Sequence, residues 1–209
     1  MTLAKNTLYT DNRLAVSEGG PLASGPSFLD LERIEDMISS ELVNTILQRY
    51  SLSPKGTHGV SHWARVLENG RTLARRTGAR IEVVELFAVF HDAKRANEGW
   101  DSEHGYRGAE FAAQLWGANF KLSGRDFDML YAACSDHTKG ITAGDITVQT
   151  CWDADRLDLG RVGIMPDIQY LCTDAAKESE IIAWAERRSR ERFIPPLIQE
   201  EWALRLEKK

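Results

Sequence analysis

The sequence predicts an all-α fold, a single compact helical domain, on three observations. Apolar residues recur at spacings of three and four through most of the chain, the period of helices buried along one stripe. No run alternates convincingly at period two, and "TAGDITV" is too short to stand as a strand against six or more helices. Capping signals bracket the periodic stretches, with Ser123 three residues ahead of Asp126 at one start and Gly78 at one end.

Residues 1–27, with the Gly/Ser/Pro-rich "SEGGPLASGPS", read as a flexible N-terminal leader, and 28–209 as the folded domain with a C-terminal helical extension. The first helix places Leu31, Ile34, Ile38, Leu42 and Ile46 on one face. A second starts near Gly56-Thr57 and runs through "HGVSHWARVLENGRTLARR", and a third covers "IEVVELFAVFHDAKR". A fourth follows His104-Gly105 through "RGAEFAAQLWG", and the fifth opens at Ser123 with Phe127, Leu130, Tyr131 and Cys134 on its buried side. The sixth is "ITVQTCWDADRLDLG". A helical stretch from Asp174 to about Arg192, a break at Pro195-Pro196 and a short terminal helix complete the chain.

Composition narrows the function. A length of 209 residues with 43% hydrophobic content supports one sizeable core. A net charge of −5 without a Lys/Arg cluster gives no footprint for bulk nucleic-acid binding. Cys134, Cys151 and Cys172 are odd in number and widely spaced, which favours buried free thiols over disulfides or a thiolate zinc site. No apolar run suits a signal peptide or a membrane span, so the expectation is a soluble, cytoplasmic protein.

The informative residues are polar ones at apolar positions. The stretch "FAVFHDAKRANEGWDSEHG" ends a core helix on His91-Asp92, groups costly to bury without a partner. His137 continues the apolar stripe of the fifth helix, and in the second helix His58 and His62 share a face as a ligand pair or an exposed cluster, with Arg65 one turn beyond on the same side. In "DADRLD", Asp155 shares the stripe of Val148, Cys151, Trp152 and Leu159; Asp158 borders it, and Asp153 points elsewhere and serves as the fallback ligand. A hydrogen-bonded core network is the plain alternative, but a divalent cation is the economical common partner for imidazoles and carboxylates arriving on separate helices.

This ordered set, His62 of "HWARV", His91-Asp92 of "VFHDAKR" and Asp155 of "ADRLD", resembles the HD-domain superfamily of metal-dependent phosphohydrolases across roughly residues 56–165. The resemblance implies a helical HD-domain fold and one or two divalent ions (Mn, Fe, Ni, Co, Zn or Mg), with His62, His91, Asp92 and Asp155 as metal ligands. His104 and His137 become candidates for a second metal or a phosphate contact. Neither the Gly-Tyr-Pro signature of the cyclic-dinucleotide branch nor the paired acidic residues of the ppGpp-hydrolase branch is present, "GYRG" standing after His104.

The expected activity is hydrolysis of a phosphate ester, of a nucleotide or another small phosphorylated metabolite. Asp92, Lys94 and Arg95 are the catalytic candidates, and His58, Arg65, Lys139 and Asp158 the substrate-binding ones. Glu98, Asp101 and Asp158 could carry a proton, and Lys94 and Arg95 could equally be the solvated cations of a helix end. The alternatives are a di-iron oxygenase on a similar scaffold and a non-catalytic metal- or nucleotide-binding regulatory module. The terminal helices could pack on the core or on a second copy as a homo-oligomer.

Overall fold

The computed structural model describes residues 37–205, so the leader at 1–27 and the start of the first expected helix lie outside the described residues. The described residues form an all-α fold of nine α-helices and one 3-10 turn, with no strand. In order they are α1 (Ser40–Leu47), α2 (Val60–Thr77), α3 (Ile81–Phe90), α4 (His104–Leu115), α5 (Gly124–Asp136), α6 (Ile146–Arg156), the 3-10 turn Leu159–Val162, α7 (Asp174–Lys177), α8 (Ser179–Arg190) and α9 (Leu197–Glu200). None is long and apolar enough to cross a membrane.

Helix α3 is the centre. From Val83 to Phe90 every side chain except Glu85 is buried, which is what a helix apolar all round requires. Helices α2, α5 and α6 pack around it, and α4 packs on α5. Trp63, Leu67, Phe87, Phe90, Leu130 and Trp152 belong to the resulting core. A smaller apolar cluster joins Leu73 and Leu157 to Leu171, Ile181 and Ala185, fastening α7 and α8 against α2 and the end of α6.

The helix ends follow the capping chemistry. Ser123 Oγ accepts the Asp126 backbone N–H, opening α5 as expected, and Gly78 closes α2 in the left-handed conformation at φ 73°. Several boundaries differ from the sequence expectation: α1 starts only at Ser40, capped by Ser39, and α6 stops at Arg156, ahead of the 3-10 turn. α2 begins at Val60 because residues 53–59 fold into turns in which Val60 N–H donates to the Pro54 carbonyl, so His58 precedes the helix. α3 stops at Phe90, and residues 91–94 form tighter turns, Ala93 N–H donating to Phe90 and Arg95 N–H to Asp92. The expected helix from Asp174 to Arg192 is two, because Glu178 is extended (ψ 129°) and its carboxylate pairs with Arg76 of α2.

The end of α3 is also where α4 comes closest. A Cβ on Gly108 would meet the carbonyl oxygens of Phe90 and His91, so only a glycine allows this approach. The contact sets His104, at the start of α4, beside Asp92. Gly108→Ala is expected to lower stability by about 1–3 kcal/mol through overpacking, read as a lower urea midpoint with an unchanged slope.

Candidate metal centre

Four imidazoles and two carboxylates from five segments converge beside the end of α3. His62 comes from α2, His91 and Asp92 from the end of α3, His104 from α4, His137 from the end of α5 and Asp155 from α6. The His-Asp pair meets the others because α3, buried on all sides, ends in the middle of the bundle rather than at its surface.

Each imidazole is fixed through Nδ1. His62 Nδ1 donates to Asp158 Oδ2 (2.8 Å), His91 Nδ1 to the Phe87 carbonyl (3.1 Å) and His137 Nδ1 to the Cys134 carbonyl (2.7 Å); His104 Nδ1 donates to the Asp101 carbonyl. Those acceptors carry no proton of their own, so the tautomer is set and Nε2 of a neutral ring keeps its lone pair. Burial pushes the His91 pKa down to about 3 and lowers that of His137, keeping both neutral at pH 7. The four Nε2 atoms then meet in two pairs, His62 with His91 at 3.0 Å and His104 with His137 at 2.9 Å.

Asp92 stands between the pairs. Its Oδ2 lies 3.4 Å from His62 Nε2 and 3.7 Å from His91 Nε2, while Oδ1 lies 3.1 Å from His104 Nε2 and 3.8 Å from His137 Nε2. Asp155 Oδ1 completes the first cleft, 3.5 Å from His62 Nε2 and 3.7 Å from His91 Nε2. Burial raises the Asp92 carboxyl pKa, but His91, His104 and His62 outweigh it and hold the group well below the usual carboxylate range. Burial likewise opposes, and His91, Arg161 and His62 reverse, the shift on Asp155, which ends lower than usual.

The two clefts differ in what serves their acceptors. In the first, a proton on the line between His62 and His91 could satisfy those two nitrogens, yet it would leave Asp155 Oδ1, which is buried and has no hydrogen-bond partner. A divalent cation would serve all four groups at once, and imidazole with carboxylate is a donor set such ions accept. In the second cleft Arg95 Nη1 donates toward Asp92 Oδ1 (3.4 Å) and His104 Nε2 (3.1 Å), so a guanidinium already supplies positive charge there. The groups His62, His91, Asp92 and Asp92, His104, His137 are each close enough to hold an ion.

Behind His62 lies a buried support. Arg65 presents Nε and Nη2 to the two oxygens of Asp158 (2.7 and 3.0 Å), and its Nη1 donates to the Phe193 carbonyl (2.8 Å). Arg65 and Asp158, expected as substrate contacts, are thus placed together as the orienting shell of His62, with Arg65 donors from all three guanidinium nitrogens engaged inside the protein. Burial raises the Asp158 pKa, but His62 and Arg65 bring it below its ordinary value.

The other expected residues are placed as follows. Lys94 Nζ donates to the Arg49 carbonyl (3.0 Å) and sits over the Phe111 ring, and the exposed Lys139 pairs with Asp136 (2.7 Å); neither lines the pocket at the centre. Arg95 does line it. His58 also lines the pocket from the turn before α2, and its Nδ1 lies 2.6 Å from Glu98 Oε2. Asp101 ties the following loop by accepting from Ala96 N–H and Arg107. Asp155 reaches the cleft; Asp153 points the opposite way and accepts from Cys172 N–H, Thr173 N–H and Thr173 Oγ1 ahead of α7.

The pocket over these groups has a volume of about 220 Å³ and includes Trp100, Leu159, Arg161 and Val162 in its wall. Arg161 carries no signal in the sequence, and Trp100 only that of the "NEGW" loop, where a tryptophan suits a stacking wall or plain core alike. Arg161 stands beyond the end of α6, where helical spacing no longer says which way a side chain points, and Trp100 lies in a loop without periodicity. Comparison with protein-family models, with curated proteins and with solved structures gives no match for this chain.

Asp158→Ala is expected to be costly, because it strands the buried Arg65 charge and releases His62. Stability should fall by about 3–5 kcal/mol, and metal affinity in the folded fraction by about 10- to 100-fold. Urea unfolding and titration with Mn²⁺ or Zn²⁺ measure the two effects separately.

Proposed function

We propose that the protein is a metal-dependent phosphohydrolase of the HD type, acting on a phosphate ester of a nucleotide or another small phosphorylated metabolite. The observation that carries this reading is the convergence of four Nδ1-anchored imidazoles on the two oxygens of Asp92, with the partnerless Asp155 Oδ1 beside the first pair. His62, His91, Asp92 and Asp155 would hold one divalent ion, and Asp92, His104 and His137 a second if Arg95 withdraws. Such an ion supplies Lewis acidity and makes a water acidic enough to serve as a nucleophile near neutral pH.

The chain's own residues would do the rest. Asp158 and the backbone carbonyls keep the imidazoles in the tautomer that points Nε2 inward, so no rotation is needed when a cation arrives. Arg95 and Arg161 place positive charge on the pocket wall, where the negative charge of a phosphate would otherwise be repelled by Asp92 and Asp155. His58 with Glu98 forms an imidazole–carboxylate pair on that wall, suited to moving a proton to or from the substrate. The pocket is smaller than the usual ~300–1,000 Å³ of ligand sites, so it would take the phosphate and the atoms next to it, leaving the body of the substrate at the mouth.

The purified protein is expected to contain one or two divalent ions per chain and to release phosphate from some members of a panel of nucleotides and phosphorylated metabolites. His91→Ala and Asp92→Ala should bring both metal content and hydrolysis to background. Metal-free protein that stays inactive with added Mn²⁺, Co²⁺, Ni²⁺ or Mg²⁺ would sink the reading. The paired clefts also suit two irons, and an iron spectrum with dioxygen-dependent turnover would replace it by the oxygenase alternative.

Trp100, 90% exposed, stands at the pocket mouth on a loop pinned by Arg95 donating to the Gly99 carbonyl (2.6 Å), which suits stacking on a planar base. Trp100→Ala should raise KM for a nucleotide by about 5- to 100-fold, as expected from ~1–3 kcal/mol of base stacking. KM for ribose 5-phosphate, which has no base, should stay unchanged. Equal effects on both substrates would remove the stacking role.

A further inference from the structure

Two guanidinium groups line the pocket, and they differ in how much of their hydrogen-bonding capacity is taken. Arg95 is engaged at all three nitrogens: Nε donates to the Asn97 carbonyl (3.2 Å), Nη2 to the Gly99 carbonyl (2.6 Å) and Nη1 toward Asp92 and His104. Arg161 is held only by Nη1, which donates to the Asp158 carbonyl (3.1 Å). Its side chain is 8% exposed, yet Nε is buried without a hydrogen-bond partner, and the nearest carboxylate oxygen to Nη2 is Asp155 Oδ1 at 3.8 Å, beyond a hydrogen bond.

Nε and Nη2 form the edge of a guanidinium that grips two oxygens of one anion. Arg65 shows the same edge filled, by the two oxygens of Asp158. In Arg161 that edge makes no hydrogen bond: Nε has no partner, and Nη2 has only the longer ion pair to Asp155. The side chain is also held in place from behind. A Cβ on Gly160 would collide with Ser189 Oγ of α8, so the 3-10 turn carrying Arg161 is seated directly on that helix. A buried, preset guanidinium with an unused edge on the pocket wall is suited to an anion held in that pocket.

We infer that Arg161 is the oxyanion anchor of the site, its Nε–Nη2 edge receiving two oxygens of the substrate's phosphate. The inference rests on the phosphohydrolase reading and narrows it. The phosphate contact comes from the turn after α6, while Lys94 is turned away and Arg95 is already occupied. It also selects a substrate class. A phosphate monoester has three unesterified oxygens, two for the fork and one left for the metal cleft, whereas a diester has only two in all. The substrate is therefore a monoester or a terminal phosphate.

The test uses inorganic phosphate as the probe on metal-loaded full-length protein, with calorimetric phosphate affinity and metal content measured on the same preparations. Arg161→Gln is expected to keep its metal and lose about tenfold or more in phosphate affinity. Arg161→Lys keeps the charge but not the fork, so it should be weakened as well at full metal content; it decides the matter if the glutamine variant does not fold. Unchanged phosphate affinity in the variant overturns the inference, and so does loss of metal in step with loss of phosphate, which would make Arg161 a support for Asp155. p-Nitrophenyl phosphate should be hydrolysed faster than bis(p-nitrophenyl) phosphate, and the reverse order overturns the assignment to monoesters. Arg161-dependent phosphate binding without hydrolysis of any phosphoester would sink the phosphohydrolase reading and leave the anchor standing. Hydrolysis with unchanged phosphate affinity in Arg161→Gln would do the opposite.

Discussion

Negative charge and lone pairs concentrated at the end of α3 are the constraint around which the rest of the bundle is arranged. Asp92 is 1% exposed, four Nε2 atoms approach its two oxygens, and Asp155 Oδ1 stands beside the first pair. In such surroundings a group without a partner costs roughly 1–3 kcal/mol, and more if it is charged. Helix ends inside a bundle ordinarily carry apolar side chains, as this one does at Phe87, one turn before His91. Cationic groups gather accordingly: Arg95 at the second cleft, Arg161 at the wall and Arg65 one layer behind. None of the three serves all the acceptors of the first cleft.

The layers around that centre have distinct tasks. Backbone carbonyls of Phe87, Asp101 and Cys134 fix three of the imidazoles, so two inherit their orientation from helix geometry and His104 from the turn that leads into α4. His62 alone is fixed by a side chain, Asp158, and that carboxylate is neutralised by Arg65. Its direction thus depends on a charge pair that a single substitution can break, whereas the others depend on main-chain groups that substitution cannot remove.

Much of this was readable from the amino-acid order. The stripe Val148, Cys151, Trp152, Asp155 separates Asp155 from Asp153, and the structure places the first at the cleft and the second in a cap ahead of α7. His137 continuing the stripe of Phe127, Leu130 and Cys134 likewise gives its inward position, because within a helix the period alone fixes direction. What could not be read lies outside regular helices. His58 falls in turns that the helical pattern ran across, and Arg161 follows α6 in a 3-10 turn of different period. The pairing of Arg65 with Asp158 spans 93 residues, a separation over which local spacing carries no information.

The hydrogen bond from Arg65 Nη1 to the Phe193 carbonyl reaches past α8, to a residue 101 positions after Asp92. Every expected metal ligand has left the ribosome by Asp155, but the brace behind His62 is complete only when Phe193 has docked. A chain ending between α6 and α8 would already carry all of these side chains, with Arg65 able to meet Asp158 but not yet Phe193. The support behind His62 is thus closed by a residue that lies far along the chain from the groups it steadies.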